Sequence, residues 1–184
     1  PTGADHCHSL HDTGLPNADY EGFILGRGLR SLGVLEPVPL EDLGPAKVKA
    51  FMLNQISSVV PNCLTICSFP GWSMDEQIAL LRAATGWDDI SVYEIMKVGE
   101  RALNLARVFN MREGWTVDSD HLAERSYQPT RGGALAEGGI DREELREAVQ
   151  LYYGMMGWDP ESGRPSMGKL QELDIAWAAE YLPA

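Results

Sequence analysis

From residue 45 onward the apolar positions of this chain recur at three- and four-residue steps, the spacing that gathers them on one face of an α-helix. Val48, Phe51, Met52, Gln55, Ile56, Val59 and Val60 trace the first stripe. Pro45 suits a first turn, where no hydrogen bond is lost, and Pro61 is expected to stop the helix. Ser73-Met74-Asp75-Glu76 has the form of a capping box, in which the serine oxygen and the glutamate carboxylate each take a free amide at a helix start. Ile78, Leu80, Leu81 and Ala84 follow, with Gly86 as a natural stop. A second box, Ser91-Val92-Tyr93-Glu94, opens the longest expected helix, to about Glu113 before Gly114. Val92, Ile95, Met96, Leu103, Ala106 and Asn110 form its stripe, and Val98, Ala102, Leu105, Val108 and Phe109 widen it, so this helix should be central. The period is lost over 114–139, a stretch with two Gly-Gly pairs that reads as a surface excursion. Asp141 to Glu144 starts another helix, with Leu145, Ala148, Val149 and Tyr152 on one face, and two short helices are expected at 167–173 and 175–181. No segment sustains the period-two alternation of a strand, so the expected class is all-α, a multihelical domain.

The first 44 residues follow no such pattern. Pro16, Pro37, Pro39 and repeated glycines favour turns, with one short helix expected somewhere in 22–35. The expected organisation is therefore an irregular N-terminal segment, 1–44, and a helical domain, 45–184. With 184 residues and 44% hydrophobic content the chain can bury a single sizeable core. Its 15 basic and 27 acidic residues give a net charge of -12, which repels a phosphate backbone and argues against a nucleic-acid partner. No apolar run is long enough to cross a bilayer, so no membrane partner is expected. Three cysteines without the spacing of a disulfide framework suggest a reducing cytoplasm. The chain opens on Pro1, with neither an initiating Met nor a signal peptide, and reads as a piece of a longer one.

Two clusters carry candidate chemistry. Cys63 and Cys67 fall on the connection between the first two helices, Pro61 to Phe69, where sites often lie. Thiolates are soft ligands for iron-sulfur clusters, zinc or copper, but a cysteine is equally a small apolar filler. Cys63, at the end of a buried helix, is expected to close the turn by packing, and Cys67 to project. The second cluster is Asp5-His6-Cys7-His8 with His11-Asp12, which has nitrogen and sulfur donors in no closed structural zinc spacing. It is an incidental exposed cluster, a local metal site, or a site completed by residues from elsewhere. His121 lies in a polar loop and reads as solvated.

A resemblance is carried by motif order. Thr2-Gly3-Ala4-Asp5-His6, Ile66-Cys67-Ser68-Phe69, Gly86-Trp87-Asp88, Val98-Gly99-Glu100-Arg101, Arg107-Val108-Phe109-Asn110 with Arg112-Glu113-Gly114, and Tyr152-Tyr153 before Gly157-Trp158-Asp159 follow one another along nearly the whole chain. Together they resemble the C-terminal part of the tungsten-containing aldehyde ferredoxin oxidoreductase family. That resemblance implies a multihelical fold and an enzyme that oxidises aldehydes to carboxylic acids. It further implies a tungsten or molybdenum ion held by two pterin cofactors, and a 4Fe-4S cluster that passes electrons to ferredoxin. By the same resemblance His6 corresponds to a histidine beside the metal, with His8 as the alternative if the register differs by two. Asn62 and Ile66 fall in a D-x-x-G-L-C motif that grips a pterin, and Cys67 is its cysteine, the last of four cluster ligands.

The chain departs from that motif, with Asn62 in place of Asp and Thr65 in place of Gly. A neutral amide replaces a charged contact, and a β-branched residue replaces the one without a side chain. Asp120 to Arg125 likewise matches an x-D-x-L-P-x-R stretch only in part. The pterin-binding N-terminal domain and the other cluster cysteines would lie before Pro1, so the isolated chain is expected to be inactive and to hold no cofactor. The alternatives are a non-catalytic helical interaction domain derived from the family, and a small local metal-binding protein using His6, Cys7, His8 and His11. The sequence does not choose between aldehydes, or between an aldehyde and a thioester.

Overall fold

The structure, a computed structural model, describes residues 15, 16, 30, 32–133 and 136–183. Among the described residues five α-helices carry the fold: α1, Pro45–Cys63; α2, Met74–Thr85; α3, Val92–Arg112; α4, Arg142–Met155; and α5, Met167–Glu172. Short 3-10 segments cover Val117–Ser119, Glu124–Tyr127 and Ala176–Tyr181, and the described residues include no strand, in keeping with the all-α expectation. Of the short helix expected in 22–35, residues 22–29 and 31 lie outside the described residues, and Arg30 to Gly33 closes a turn.

Local chemistry sets the helix starts. Both capping boxes form: the Glu76 carboxylate accepts from Ser73 N at 2.7 Å while Ser73 Oγ accepts from Glu76 N at 3.3 Å, and Glu94 and Ser91 repeat the exchange at 2.9 and 3.4 Å. Asp141 caps α4 by accepting from the amides of Glu143 and Glu144. Pro61 does not end α1, contrary to expectation; it lies buried in the last turn and the helix runs on to Cys63. A proline removes one amide donor but keeps its carbonyl, and Pro61 O still accepts from Ile66 N at 3.0 Å.

The long helix α3 is the centre, packed against α1, α2 and the C-terminal 3-10 segment. It meets α1 so closely that a Cβ on Gly99 would overlap the carbonyl oxygen of Ile56, which explains a glycine inside a helix. Three apolar clusters surround it. Val60, Ile78 and Ile95 join α1, α2 and the start of α3; Ile56, Leu103, Tyr153, Met156 and Trp158 join α1, α3 and α4; Val108, Leu170, Leu173, Ile175 and Ala178 hold the C-terminal segments. A fourth cluster packs Leu15, Val34 and Val38 on Ala50 of α1.

The buried stripe of α3 differs from the expected one. Phe109 is 54% exposed and Asn110 is outside the core, while Glu100, Asn104 and Arg107 are buried. Each of the three has found polar partners. Arg107, 1% exposed, donates from Nε to Gly163 O at 3.0 Å and from Nη1 to Asp120 Oδ2 at 2.7 Å, with Nη2 3.4 Å from the Tyr153 hydroxyl. Its guanidinium lies 5.2 Å from the ring centres of both Tyr153 and Trp158, within cation-π range. Asp120 also accepts from the Tyr153 hydroxyl and from Trp115 Nε1. Burial pushes the Tyr153 hydroxyl well above its ordinary pKa, so it stays a donor. Asn104 accepts from Trp158 Nε1 at 2.8 Å and donates to Glu100 O. The described part of 114–139 lies at the surface, as expected, but Asp120 fastens it to α3 and Val117 packs on the core.

Arg107→Met keeps the volume but leaves Asp120 without its cation. It should lower the unfolding free energy by about 3–5 kcal/mol in urea titrations followed by circular dichroism, and a loss below about 1 kcal/mol would mean the pair is not what fastens the stretch.

Candidate functional site

The candidate site is the closed end of α1 and the loop that leaves it. Leu64 N and Ile66 N return to Val60 O and Pro61 O, each at 3.0 Å, and Thr65 N returns to Asn62 O at 3.2 Å. The crossed pair from Thr65 and Ile66 is a Schellman closure, which requires the residue just past the helix to take the left-handed conformation. That residue is Thr65, at φ 56. Among the described residues α3, α4 and α5 end with the same crossed pair, and their left-handed residues are Gly114, Gly157 and Asp174. Glycine takes that conformation freely and Asp tolerates it, whereas a β-branched residue there costs about 1–2 kcal/mol.

This closure turns the chain outward. Asn62, Cys63, Thr65, Cys67, Ser68 and Phe69 are exposed, and Ile66 is half-buried. Phe69 is 96% exposed, an unusual state for so large an apolar side chain. Cys63 and Cys67 are free thiols. Cys67 projects as expected, but Cys63 does not pack, because the helix continues to it and its side chain lies on the open face. Partial desolvation nevertheless holds the Cys63 thiol above the ordinary thiol pKa. The structure thus brings Asn62, Ile66 and Cys67 to one helix end, and Cys63 with them. His6, with Cys7, His8 and His11, lies outside the described residues. His121 is exposed, as expected. Among the described residues no three His, Cys, Asp or Glu side chains come together as a metal site, and no helix is long and apolar enough to cross a membrane. One thiol can therefore be a ligand here only if others arrive from elsewhere.

A family profile described as "Aldehyde ferredoxin oxidoreductase, domains 2 & 3" matches residues 1–175. The chain belongs to the aldehyde ferredoxin oxidoreductase family. The tungsten-containing aldehyde ferredoxin oxidoreductase of Thermococcus kodakarensis is 33% identical over 138 residues, and the proteins of the same name from Pyrococcus horikoshii and Pyrococcus furiosus are 33% and 32% identical. Each alignment covers 73% of this chain and 22% of the relative, so the match spans little more than a fifth of those enzymes' length.

Thr65, where the motif expected from the resemblance has glycine, sits at a left-handed position, and the helix closure gives the physical reason a glycine would suit it. Nothing in the spacing announced this, although the same geometry at Gly114 and Gly157 follows a helix end in the same way. Sequence reasoning also missed the Arg107, Asp120 and Tyr153 cluster, whose members were legible only as fragments of motifs. Thr65→Gly should raise stability by about 1 kcal/mol, since it relieves the left-handed cost while giving the unfolded chain more freedom. The shift would be read as a higher urea midpoint at an unchanged slope, and a lower midpoint would show that the Thr65 side chain makes a contact worth more than its conformation costs.

Proposed function

We propose that this chain is the C-terminal part of a tungsten-pterin aldehyde oxidoreductase and supplies one wall of its site. The observation that carries the reading is the exposed thiol of Cys67 just beyond a closed helix end, in a chain of this family. A soft, accessible sulfur on a backbone anchored by two crossed hydrogen bonds suits a cluster ligand. The residues present fit that group as one ligand of four, and the other three come from an N-terminal pterin-binding domain of the same enzyme. When bound, the tungsten or molybdenum bis-pterin supplies the oxidation of aldehyde to carboxylic acid, and the 4Fe-4S cluster supplies the route of the electrons to ferredoxin.

The roles of this chain's residues follow from their chemistry. Cys67 holds the cluster as a thiolate, and its deprotonation is favoured by the metal it binds. Asn62, exposed on the last turn of α1, offers an amide to the pterin edge in place of a carboxylate, a weaker contact with a ring amine. Ile66 gives that edge an apolar shoulder. His6 hydrogen-bonds the substrate oxygen or moves a proton at it. Exposed thiols suit a reducing cytoplasm. A second reading, a non-catalytic interaction domain descended from the family, is favoured by Asn62 and Thr65, the two departures from the pterin motif.

The native, longer polypeptide tests both readings. Cys67→Ser should lose most of its cluster iron and its electron transfer to ferredoxin, while Cys63→Ala and Cys7→Ser keep iron near the parent level. Full iron in Cys67→Ser would refute the ligand assignment, and a parent protein without iron, tungsten or pterin would favour the non-catalytic reading. The isolated 184-residue chain should carry none of the three in stoichiometric amount by elemental analysis, since one thiolate cannot retain a cluster.

A further inference from the structure

The helix α2 has more apolar surface than this fold uses. Ile78 enters the core, with Met74 and Leu81 beside it. On the other side Ala79, Leu80, Ala83 and Ala84 are exposed, and Trp87, 62% exposed, follows just past the helix. That spacing is one helical stripe, and a helix apolar on both faces belongs in an interior. The apolar exposure continues on both sides along the chain, with Phe69 and Trp72 before α2 and Tyr93 at the start of α3. An independent polar observation lies in the same helix. Gln77 is 6% exposed and donates from Nε2 to Trp72 O at 3.0 Å, yet its buried Oε1 has no hydrogen-bond partner. Buried acceptors are almost always paired, so the unmet Oε1 marks the packing around α2 as incomplete among the described residues.

Charge selects the occupant. Between residues 68 and 96 stand Asp75, Glu76, Asp88, Asp89 and Glu94 against Arg82 alone. A second copy would set five carboxylates against the same five, within a chain whose net charge is already -12. The relatives this chain matches have 78% of their length outside the aligned part, as 22% is covered. We propose that the outer face of α2 is a docking surface for the upstream part of the same polypeptide, which covers it with an apolar patch rimmed by Lys and Arg and brings a donor to Gln77 Oε1. This rests on the proposed function only in taking the chain as part of a longer enzyme, and it needs no cofactor.

The test is hydroxyl-radical footprinting of the native polypeptide, read residue by residue by mass spectrometry, with its denatured form as reference. Leu80 and Trp87 should be labelled about tenfold more slowly than in the denatured form, as in a dry interface core. Leu80→Asp should restore labelling of Trp87 while Tyr153, buried in the core, stays protected and so reports an intact fold. Labelling of Leu80 and Trp87 near the denatured rate overturns the proposal, as does a native polypeptide of only 20.3 kDa. Protection lost on dilution together with a dimer seen by light scattering overturns it in favour of a second copy, and protection that requires added ferredoxin overturns it in favour of that partner. Iron content is measured on the same sample: protection without iron leaves this inference standing while the cofactor reading fails, and iron without protection does the reverse.

Discussion

A guanidinium buried in the C-terminal third of the longest helix is the constraint on which most of this domain depends. Taking an arginine out of water costs several kcal/mol unless its donors are met. Arg107 meets them with groups from three later stretches: Asp120 after α3, Tyr153 on α4 and the carbonyl of Gly163 before α5. The charge therefore acts as a locating pin, since no one of those stretches can shift without leaving a buried donor or carboxylate unpaired. A second ionic group extends the same logic. Glu100 is bridged by Lys97 and Lys169, and Glu172 closes the square from α5, while Arg101 Nε donates to Leu173 O. Partial burial disfavours the charge on Lys97 and Lys169, but their hydrogen bonds to Glu100 and Glu172 outweigh it and raise both pKa values.

This gives a physical meaning to the short motifs that carry the resemblance. Glu100 and Arg101, Arg107, Tyr153 and Trp158 belong to separate motifs, yet all serve to tie α3 to the C-terminal half of the domain. They are packing devices, distant in role from the chemistry that the family name suggests. The residues proposed to meet the cofactors, Asn62, Ile66 and Cys67, occupy the opposite kind of environment, on the closure at the end of α1, where Asn62 and Cys67 are exposed.

The two kinds of residue were unequally legible. Helix starts could be read from sequence because a capping box is settled within four residues, and both boxes form. The polar half of the α3 stripe could not, since whether Arg107 is buried depends on partners 13, 46 and 56 residues away. Helical periodicity instead selected Phe109 for burial, and Phe109 faces solvent beneath the Arg112 guanidinium, 4.8 Å from its ring centre. Pro61 misled for a local reason: the proline rule concerns the bond it cannot donate, and in a last turn that loss does not prevent two more residues from joining the helix. With the end of α1 displaced to Cys63, that side chain moved from an expected packing position to an exposed one.

Thr65 connects the fold to the choice between a working and a lapsed site. A glycine replaced by threonine at a left-handed position could have abandoned that conformation, and the loop bearing Cys67 would then have left α1 in another direction. Instead φ stays at 56 and both crossed hydrogen bonds are made. The left-handed position is thus kept at a local conformational cost, and Cys67 follows the closure as an exposed thiol. What Thr65 adds is a Cβ and a hydroxyl on an exposed turn, where a glycine would let a flat ring come against the backbone. Under the proposed function the loss would fall on the pterin contact, and with Asn62 offering a neutral amide on the same turn both departures would weaken the same partner. In that reading the thiol proposed for the cluster keeps its exposed place beyond the closure, so the two departures would bear on the pterin and not on the cluster.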